Sequence, residues 1–343
     1  MIRIAKLIFL VLITVIPLPV LAIDRPNAQV TISFLEEPSL NKFGQYEVNL
    51  VSNITFDKGW HAYWKYSGDS GAPPSYLYSV PSQWTEYSQA WESPQIFIED
   101  ADIITYGFTD RLTVNHTFIF SEDFHLQDFW EDHIQLEVDM LLCKEGCVPV
   151  TLNLDKTVSS IFSSPKLPFN PGEPSTLVSS YEVASLSSVK GFPFGIRVRL
   201  TNDVNHASNM KIQIFPEVLG DTNGLAFGIP RYTQDGKDIV LPISQPPTKG
   251  TNLNLLVVKE SPDGDTKIQN LNVSEVTPLA APISDASNNL LEYRLHQNAA
   301  QNTDVGPNYS ILAIFFLGFL GGLVLNFMPC VLPVIGLKAI SLT

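Results

Sequence analysis

Cys143 and Cys147 bracket the tripeptide Lys144-Glu145-Gly146, and a third cysteine, Cys330, stands apart in an apolar run between Pro329 and Pro333. The chain holds three cysteines in all. A close thiol pair can open and re-form as a disulfide, and thiolate attack on a disulfide is how reducing equivalents pass between proteins. Alternating apolar residues flank the pair: Ile134, Leu136, Val138, Met140 and Leu142 before it, Val148, Val150, Leu152 and Leu154 after it. That period of two predicts the strands of a hairpin joined by a three-residue loop. Such loops usually place a left-handed residue last, which Gly146 supplies without steric cost. The cysteines then oppose each other at ~4.5–5.5 Å between Cα atoms, within the range a disulfide accepts.

Three other uses of these sulfurs remain open on the residues alone. A structural bond is one, although so short a ring contributes only about 2 kcal/mol of loop-closure entropy. Metal capture by a non-catalytic binding module, copper included, is a second. Zinc sites favour four ligands, and the six histidines are scattered without a close pair. A structural anchor protein is the third. Lys144 favours a thiolate at Cys143 while Glu145 opposes it.

A second constellation precedes the pair. Gly59-Trp60-His61-Ala62-Tyr63-Trp64-Lys65-Tyr66 runs into Ser67-Gly68-Asp69-Ser70-Gly71-Ala72-Pro73-Pro74. Four aromatic rings thus lead into a Gly/Pro-rich loop. One reading is a core strand with Trp60 and Trp64 inward. The other makes Trp60, Tyr63, Trp64 and Tyr66 an aromatic lid over the cysteine hairpin.

The elements that must position these residues lie between two apolar runs. Residues 1–22 read as an export signal: Arg3 and Lys6 precede the apolar stretch Leu7 to Leu21, and Val20 and Ala22 suit cleavage after Ala22. An uncleaved anchor is the alternative. From Ile311 to Met328 only Asn326 is polar, which meets the criterion for a membrane helix within 309–343. Lys338 after the run and Asp304 before it favour an outside N-terminus. The chain carries a net charge of −14. Residues 24–165 hold 21 Asp and Glu against 7 Lys and Arg. So acidic a domain argues against nucleic acid and against docking on an anionic lipid surface.

Alternating patterns at Tyr46–Leu50, Leu112–Phe118 and the hairpin predict an antiparallel β-sandwich over 23–158. Pro165, Pro168, Pro171 and Pro174 mark a linker at 159–180. A second β-sandwich is expected over 181–278, with strands at Gly195–Leu200, Met210–Phe215, Asp238–Ile243, Leu253–Val258 and Thr266–Val273. The polar stretch 279–308 reads as a tether, with a short helix at Leu290–His296. The expected fold class is mainly β: two extracytoplasmic immunoglobulin-like β-sandwiches followed by a transmembrane α-helix.

Three stretches make the chain resemble the membrane thiol:disulfide interchange proteins of the DsbD type, in particular their ScsB-like branch. They are Gly59–Trp64 with Gly68–Pro74, then Leu142–Pro149, then Gly321–Pro333 with its Asn-x-Met-Pro-Cys-Val-x-Pro string. The resemblance implies that reducing equivalents from cytoplasmic thioredoxin cross the inner membrane through a membrane cysteine pair, of which Cys330 would be the first. Cys143 and Cys147 would be the periplasmic pair that reduces disulfide-containing client proteins. A link to cytochrome c maturation follows from the same family, and no cofactor is implied. Pro329 and Pro333 would interrupt the helix around Cys330 and give the thiol access to both sides. The chain departs from the family in lacking a second membrane cysteine and the remaining membrane helices. It therefore reads as the front part of such a reductase.

Overall fold

The computed structural model describes residues 25–292, except 82–83, 100–102, 121–124, 187–188, 190, 202–210, 220–223, 234–235, 248–251, 274–279 and 284–290. The expected signal 1–22, the apolar run from Tyr309 and Cys330 lie outside the described residues. Among the described residues no helix is long and apolar enough to cross a membrane.

Among the described residues the first domain has eleven strands. In chain order they are β1 (Ala28–Phe34), β2 (Ser39–Leu40), β3 (Tyr46–Phe56), β4 (His61–Gly68), β5 (Ser75–Ser79) and β6 (Thr85–Trp91). Then come β7 (Gln95–Ile98), β8 (Ile104–Thr109), β9 (Arg111–Phe120), β10 (His133–Cys143) and β11 (Cys147–Thr157). One sheet runs β1-β3-β9-β6 with β2 on β3; the other runs β11-β10-β4-β8-β7 with β5 on β10. All the pairings described in this domain are antiparallel.

The period of two is carried into three dimensions along β10. Ile134, Leu136, Val138, Met140 and Leu142 are buried while Gln135, Glu137 and Asp139 are exposed. Successive strand residues point to opposite faces, so this pattern turns one face of the sheet into core. Each such side chain contributes ~1.5–3 kcal/mol on burial.

After β11 comes a short helix, α1 (Val158–Phe162), capped by the Thr157 hydroxyl, which accepts from Ser160 N–H at 3.3 Å. The stretch 159–180, expected as a linker, is held along the first domain by backbone N–H groups. Leu167 N–H donates to Ser33 Oγ at 2.9 Å, and Asn170 N–H donates to Glu92 Oε1 at 3.2 Å. It then enters strand structure before residue 180.

The second domain contains β12 (Glu173–Pro174), β13 (Val178–Leu186), β14 (Phe194–Leu200), β15 (Lys211–Leu219), β16 (Arg231–Tyr232) and β17 (Asp238–Ile243). It continues with β18 (Asn252–Glu260), β19 (Thr266–Val273), β20 (Ala280–Ile283) and β21 (Leu291–Glu292). Its sheets are ordered β12-β19-β18-β15 and β20-β13-β14-β17-β16-β21. Ile196, Val198, Ile212, Ile214, Leu255 and Val257 pack in the core they share. The sequence pattern misses β13, whose Ser179, Ser180 and Tyr181 are exposed and break the apolar alternation. Of the short helix expected at Leu290–His296, only Leu291 and Glu292 lie among the described residues, and for these two the expectation is corrected. Leu291 and Glu292 pair with Tyr232 and Arg231 as a strand, because a sheet edge supplies hydrogen bonds that local sequence does not reveal.

Strand β4 is covered on both faces. On one side Trp64 meets Phe215 of the second domain edge-on, at 6.1 Å between ring centroids. Tyr106 meets the same Phe215 at 5.8 Å, and Tyr66 meets Phe227 at 6.3 Å. Lys65 Nζ lies 2.8 Å from Glu217 Oε1. The other side of β4 carries the site.

Candidate functional site

Cys143 ends β10 and Cys147 begins β11, so the three residues between them form the whole connection. The two sulfurs are joined as a disulfide, with 4.1 Å between Cα atoms, closer than the spacing predicts. Gly146 is corrected in one respect: it does not adopt a left-handed conformation. The turn closes instead with Lys144 N–H donating to Gly146 C=O at 3.1 Å. A Cβ on Gly146 would meet nothing within 4 Å.

The two cysteines sit in unequal surroundings. Cys143 is 3% exposed, whereas Cys147 is open to solvent. The difference follows from the sheet. Cys143 is paired on its other side with His61 of β4, while Cys147 starts an edge strand. Cys147 Sγ is therefore on the open side of the bond, and Cys143 Sγ on the covered side. The hairpin does not depend on this bond. Five buried side chains of β10, at ~1.5–3 kcal/mol each, outweigh the roughly 2 kcal/mol of so short a ring.

Of the four rings expected as a lid, Tyr63 is the one whose contact with the sulfurs defines the site. Its hydroxyl lies 3.2 Å from Cys143 Sγ and 3.6 Å from Cys147 Sγ. With both sulfurs in the disulfide, the Tyr63 O–H is the donor. Burial raises the Tyr63 pKa and the nearby Glu99 carboxylate raises it further, so the phenol keeps its proton at neutral pH. The lid is corrected for Trp64 and Tyr66. They take the opposite face of β4 and pack against the second domain, as strand alternation from Tyr63 requires. Trp60 is buried just ahead of β4, and its backbone N–H donates to Asp57 C=O at 3.3 Å.

The Gly/Pro-rich loop holds the Tyr63 ring in place. A Cβ on Gly71 would stand 2.1 Å from Tyr63 Cζ, so the glycine backbone lies directly on the phenol. Gly71 also has φ +81°, a conformation side chains rarely adopt. The loop is in turn pinned to β8. Asp69 N–H donates to Ile104 C=O at 2.8 Å, and Asp69 Oδ2 accepts from Ile104 N–H at 3.0 Å.

Three further residues complete the surroundings, none of them singled out as a site residue by sequence reasoning. The His61 ring stacks on Phe97 at 4.8 Å and meets Tyr63 edge-on at 5.5 Å. Its Nε2 is 3.9 Å from Glu99 Oε1, beyond hydrogen-bond reach. Burial lowers the His61 pKa against the opposing pull of Glu99, so the imidazole is neutral at pH 7. Glu99 accepts a hydrogen bond from Thr105 Oγ1 at 3.2 Å. No local signal could have found Phe97 or Glu99, because β7 reaches the hairpin only through β8 and β4.

Among the described residues, no group of three or more His, Cys, Asp or Glu stands close enough to hold a metal ion. The arrangement is a disulfide with one exposed and one buried sulfur and a phenol beside both.

The fold and site define a class: a mainly β protein of paired antiparallel sheets carrying a half-exposed disulfide at the tip of a hairpin. Residues 33–159 match the family model described as Thiol:disulfide interchange protein DsbD, N-terminal, and this segment is a domain of that family. The N-terminal periplasmic domain of ScsB from Proteus mirabilis is similar at 18% identity and a TM-score of 0.46, covering 75% of this chain and 97% of that one. The reduced N-terminal domain of DsbD from Neisseria meningitidis is similar at 9% identity and a TM-score of 0.25, covering 37% of this chain and 83% of that one. A major pilin subunit from Bacillus cereus, BcpA, gives 9% identity and a TM-score of 0.18, covering 76% and 69%. No curated protein matches the chain.

Proposed function

We propose that the chain is the periplasm-facing part of an inner-membrane thiol:disulfide interchange protein of the DsbD type, with an ScsB-like pair of β domains. Reducing equivalents reach the Cys143–Cys147 disulfide from a dithiol, and the reduced pair then passes them to disulfides of periplasmic client proteins. Cys147 is the exchanging sulfur and Cys143 the resolving one. The observation that carries this reading is the unequal burial of the two sulfurs: one is open to attack, and the other sits beside a hydrogen-bond donor. A purely structural bond has no need of that asymmetry.

The wider relay belongs to the same proposal. Residues 309–343 supply the first helix of a membrane domain, with Cys330 as one member of a membrane cysteine pair fed by cytoplasmic thioredoxin. Reduced clients then include proteins of cytochrome c maturation. The support is the DsbD-type domain at residues 33–159 together with the Asn326–Pro333 string.

Equilibration of the Cys143–Cys147 pair with glutathione buffers tests the reading. A potential within reach of the glutathione couple is expected. A value below about −300 mV, where inert structural disulfides lie, would overturn it.

A further inference from the structure

We infer that Tyr63 is a catalytic residue of disulfide opening, donating a hydrogen bond to the Cys143 sulfur as it leaves, and that Gly71 is the positioning residue that keeps the phenol there. The assignment rests on the interchange reading above and adds the group that makes one sulfur the leaving group.

Three observations converge on it. The Tyr63 oxygen is nearer to the buried sulfur than to the exposed one, 3.2 Å against 3.6 Å. Tyr63 is 1% exposed, so water competes little for its proton. The ring has no freedom to swing away, because Gly71 lies where a Cβ would stand 2.1 Å from Cζ. A donor fixed in advance beside developing negative charge is worth most where water is excluded. Burial also keeps the phenol protonated.

An incoming thiolate, one sulfur of a dithiol reductant, attacks Cys147 Sγ and forms a mixed disulfide. The Cys143–Cys147 bond breaks, and its electron pair stays on Cys143 Sγ as a thiolate. Tyr63 O–H donates to that thiolate and keeps its own proton. The second sulfur of the reductant, as thiolate, then attacks the mixed disulfide and releases the Cys147 thiolate, leaving the reductant oxidised and the pair reduced. A leaving thiol of lower pKa departs faster, so the hydrogen bond to Cys143 accelerates opening. Without it the Cys143 thiolate would form in a buried place lacking that donor, which penalises the charged form.

The test uses the full chain with dithiothreitol as the reductant. Tyr63→Phe removes only the hydroxyl. It should slow opening on the order of tenfold, the worth of one hydrogen bond to a charged group. In a Cys147→Ser background, thiolate ultraviolet absorbance should show Cys143 ionising about one pH unit higher in Tyr63→Phe than with Tyr63 intact. Gly71→Ala keeps the hydroxyl but displaces it, and should reproduce both effects. A parent disulfide that resists dithiothreitol would sink the interchange reading, and this assignment with it. A parent that opens while Tyr63→Phe opens equally fast with unshifted Cys143 ionisation would overturn the role of Tyr63 alone.

Discussion

Trp64 of the first domain and Phe215 of the second stand edge to face across the domain boundary, one residue along the strand from the phenol that touches the disulfide. Neighbours in a strand point to opposite faces. The second domain therefore packs on the back of the strand whose front carries the redox contact. Trp64→Ala opens a cavity under β4, and substitutions of buried aromatic residues by alanine cost ~3–5 kcal/mol. Denaturant unfolding should show that loss. The Lys65–Glu217 pair beside it should contribute little. Lys65 is 34% exposed, and a double-mutant cycle on such a pair should give no more than about 1 kcal/mol.

The two sulfurs should differ in reach once the bond is reduced. Cys147 is exposed and Cys143 is 3% exposed. Alkylation by a bulky maleimide, read by mass spectrometry in the Cys143→Ser and Cys147→Ser variants, should modify Cys147 at least about tenfold faster. Thiol reactivity follows access as well as ionisation. Equal rates would contradict the assignment of Cys147 as the exchanging sulfur.

Two glycines close to the disulfide should respond in opposite ways. Gly146 lies in the hairpin loop with open space where a Cβ would go and no left-handed backbone. Gly146→Ala should leave the melting temperature unchanged or raise it slightly, since a compatible Gly→Ala change stabilises by about 0.4–1 kcal/mol. Gly71 combines φ +81° with a position at which a Cβ would stand 2.1 Å from Tyr63 Cζ. Gly71→Ala should destabilise the first domain clearly, by more than about 1 kcal/mol.

Mild acid should weaken the first domain through its buried histidines. His116 is fully buried, with Nδ1 3.0 Å from Glu86 Oε1, Nε2 3.3 Å from Ser52 Oγ, and the rings of Tyr76 and Tyr78 each at 4.7 Å. Burial lowers its pKa from 6.5, with Glu86 opposing, and His61 is lowered for the same reason. Both are neutral in the fold and take up a proton in the unfolded chain near their ordinary value. The unfolded state then binds more protons, so stability is full above about pH 6.5 and falls as pH drops below it. Urea midpoints from pH 7.5 to 5 should decline accordingly. His116→Gln should flatten that decline while lowering the neutral plateau.

Much of this protein can be read from residues close together in the chain. The alternation from Ile134 to Leu154, interrupted by three residues, defines both strands and the pairing of Cys143 with Cys147. A two-residue period and a loop length are local properties, and antiparallel register follows from them. The same reasoning locates β14, β17 and β19 within a residue. It overlooks β13 and β21, whose pairing is supplied by neighbouring strands and not by their own composition.

What the tertiary structure alone decides is which sulfur is hidden and which ring attends it. Cys143 and Cys147 occupy equivalent ends of one hairpin; they differ because β4 lies beside one, whereas among the described residues no strand pairs with the outer edge of the other. Four aromatic residues crowd Trp60–Tyr66, yet strand alternation and the docking of the second domain send Trp64 and Tyr66 away from the disulfide. Tyr63 is left against it, with Gly71 on its ring. Burial and proximity across sheets depend on residues tens of positions apart, and no spacing within one segment encodes them.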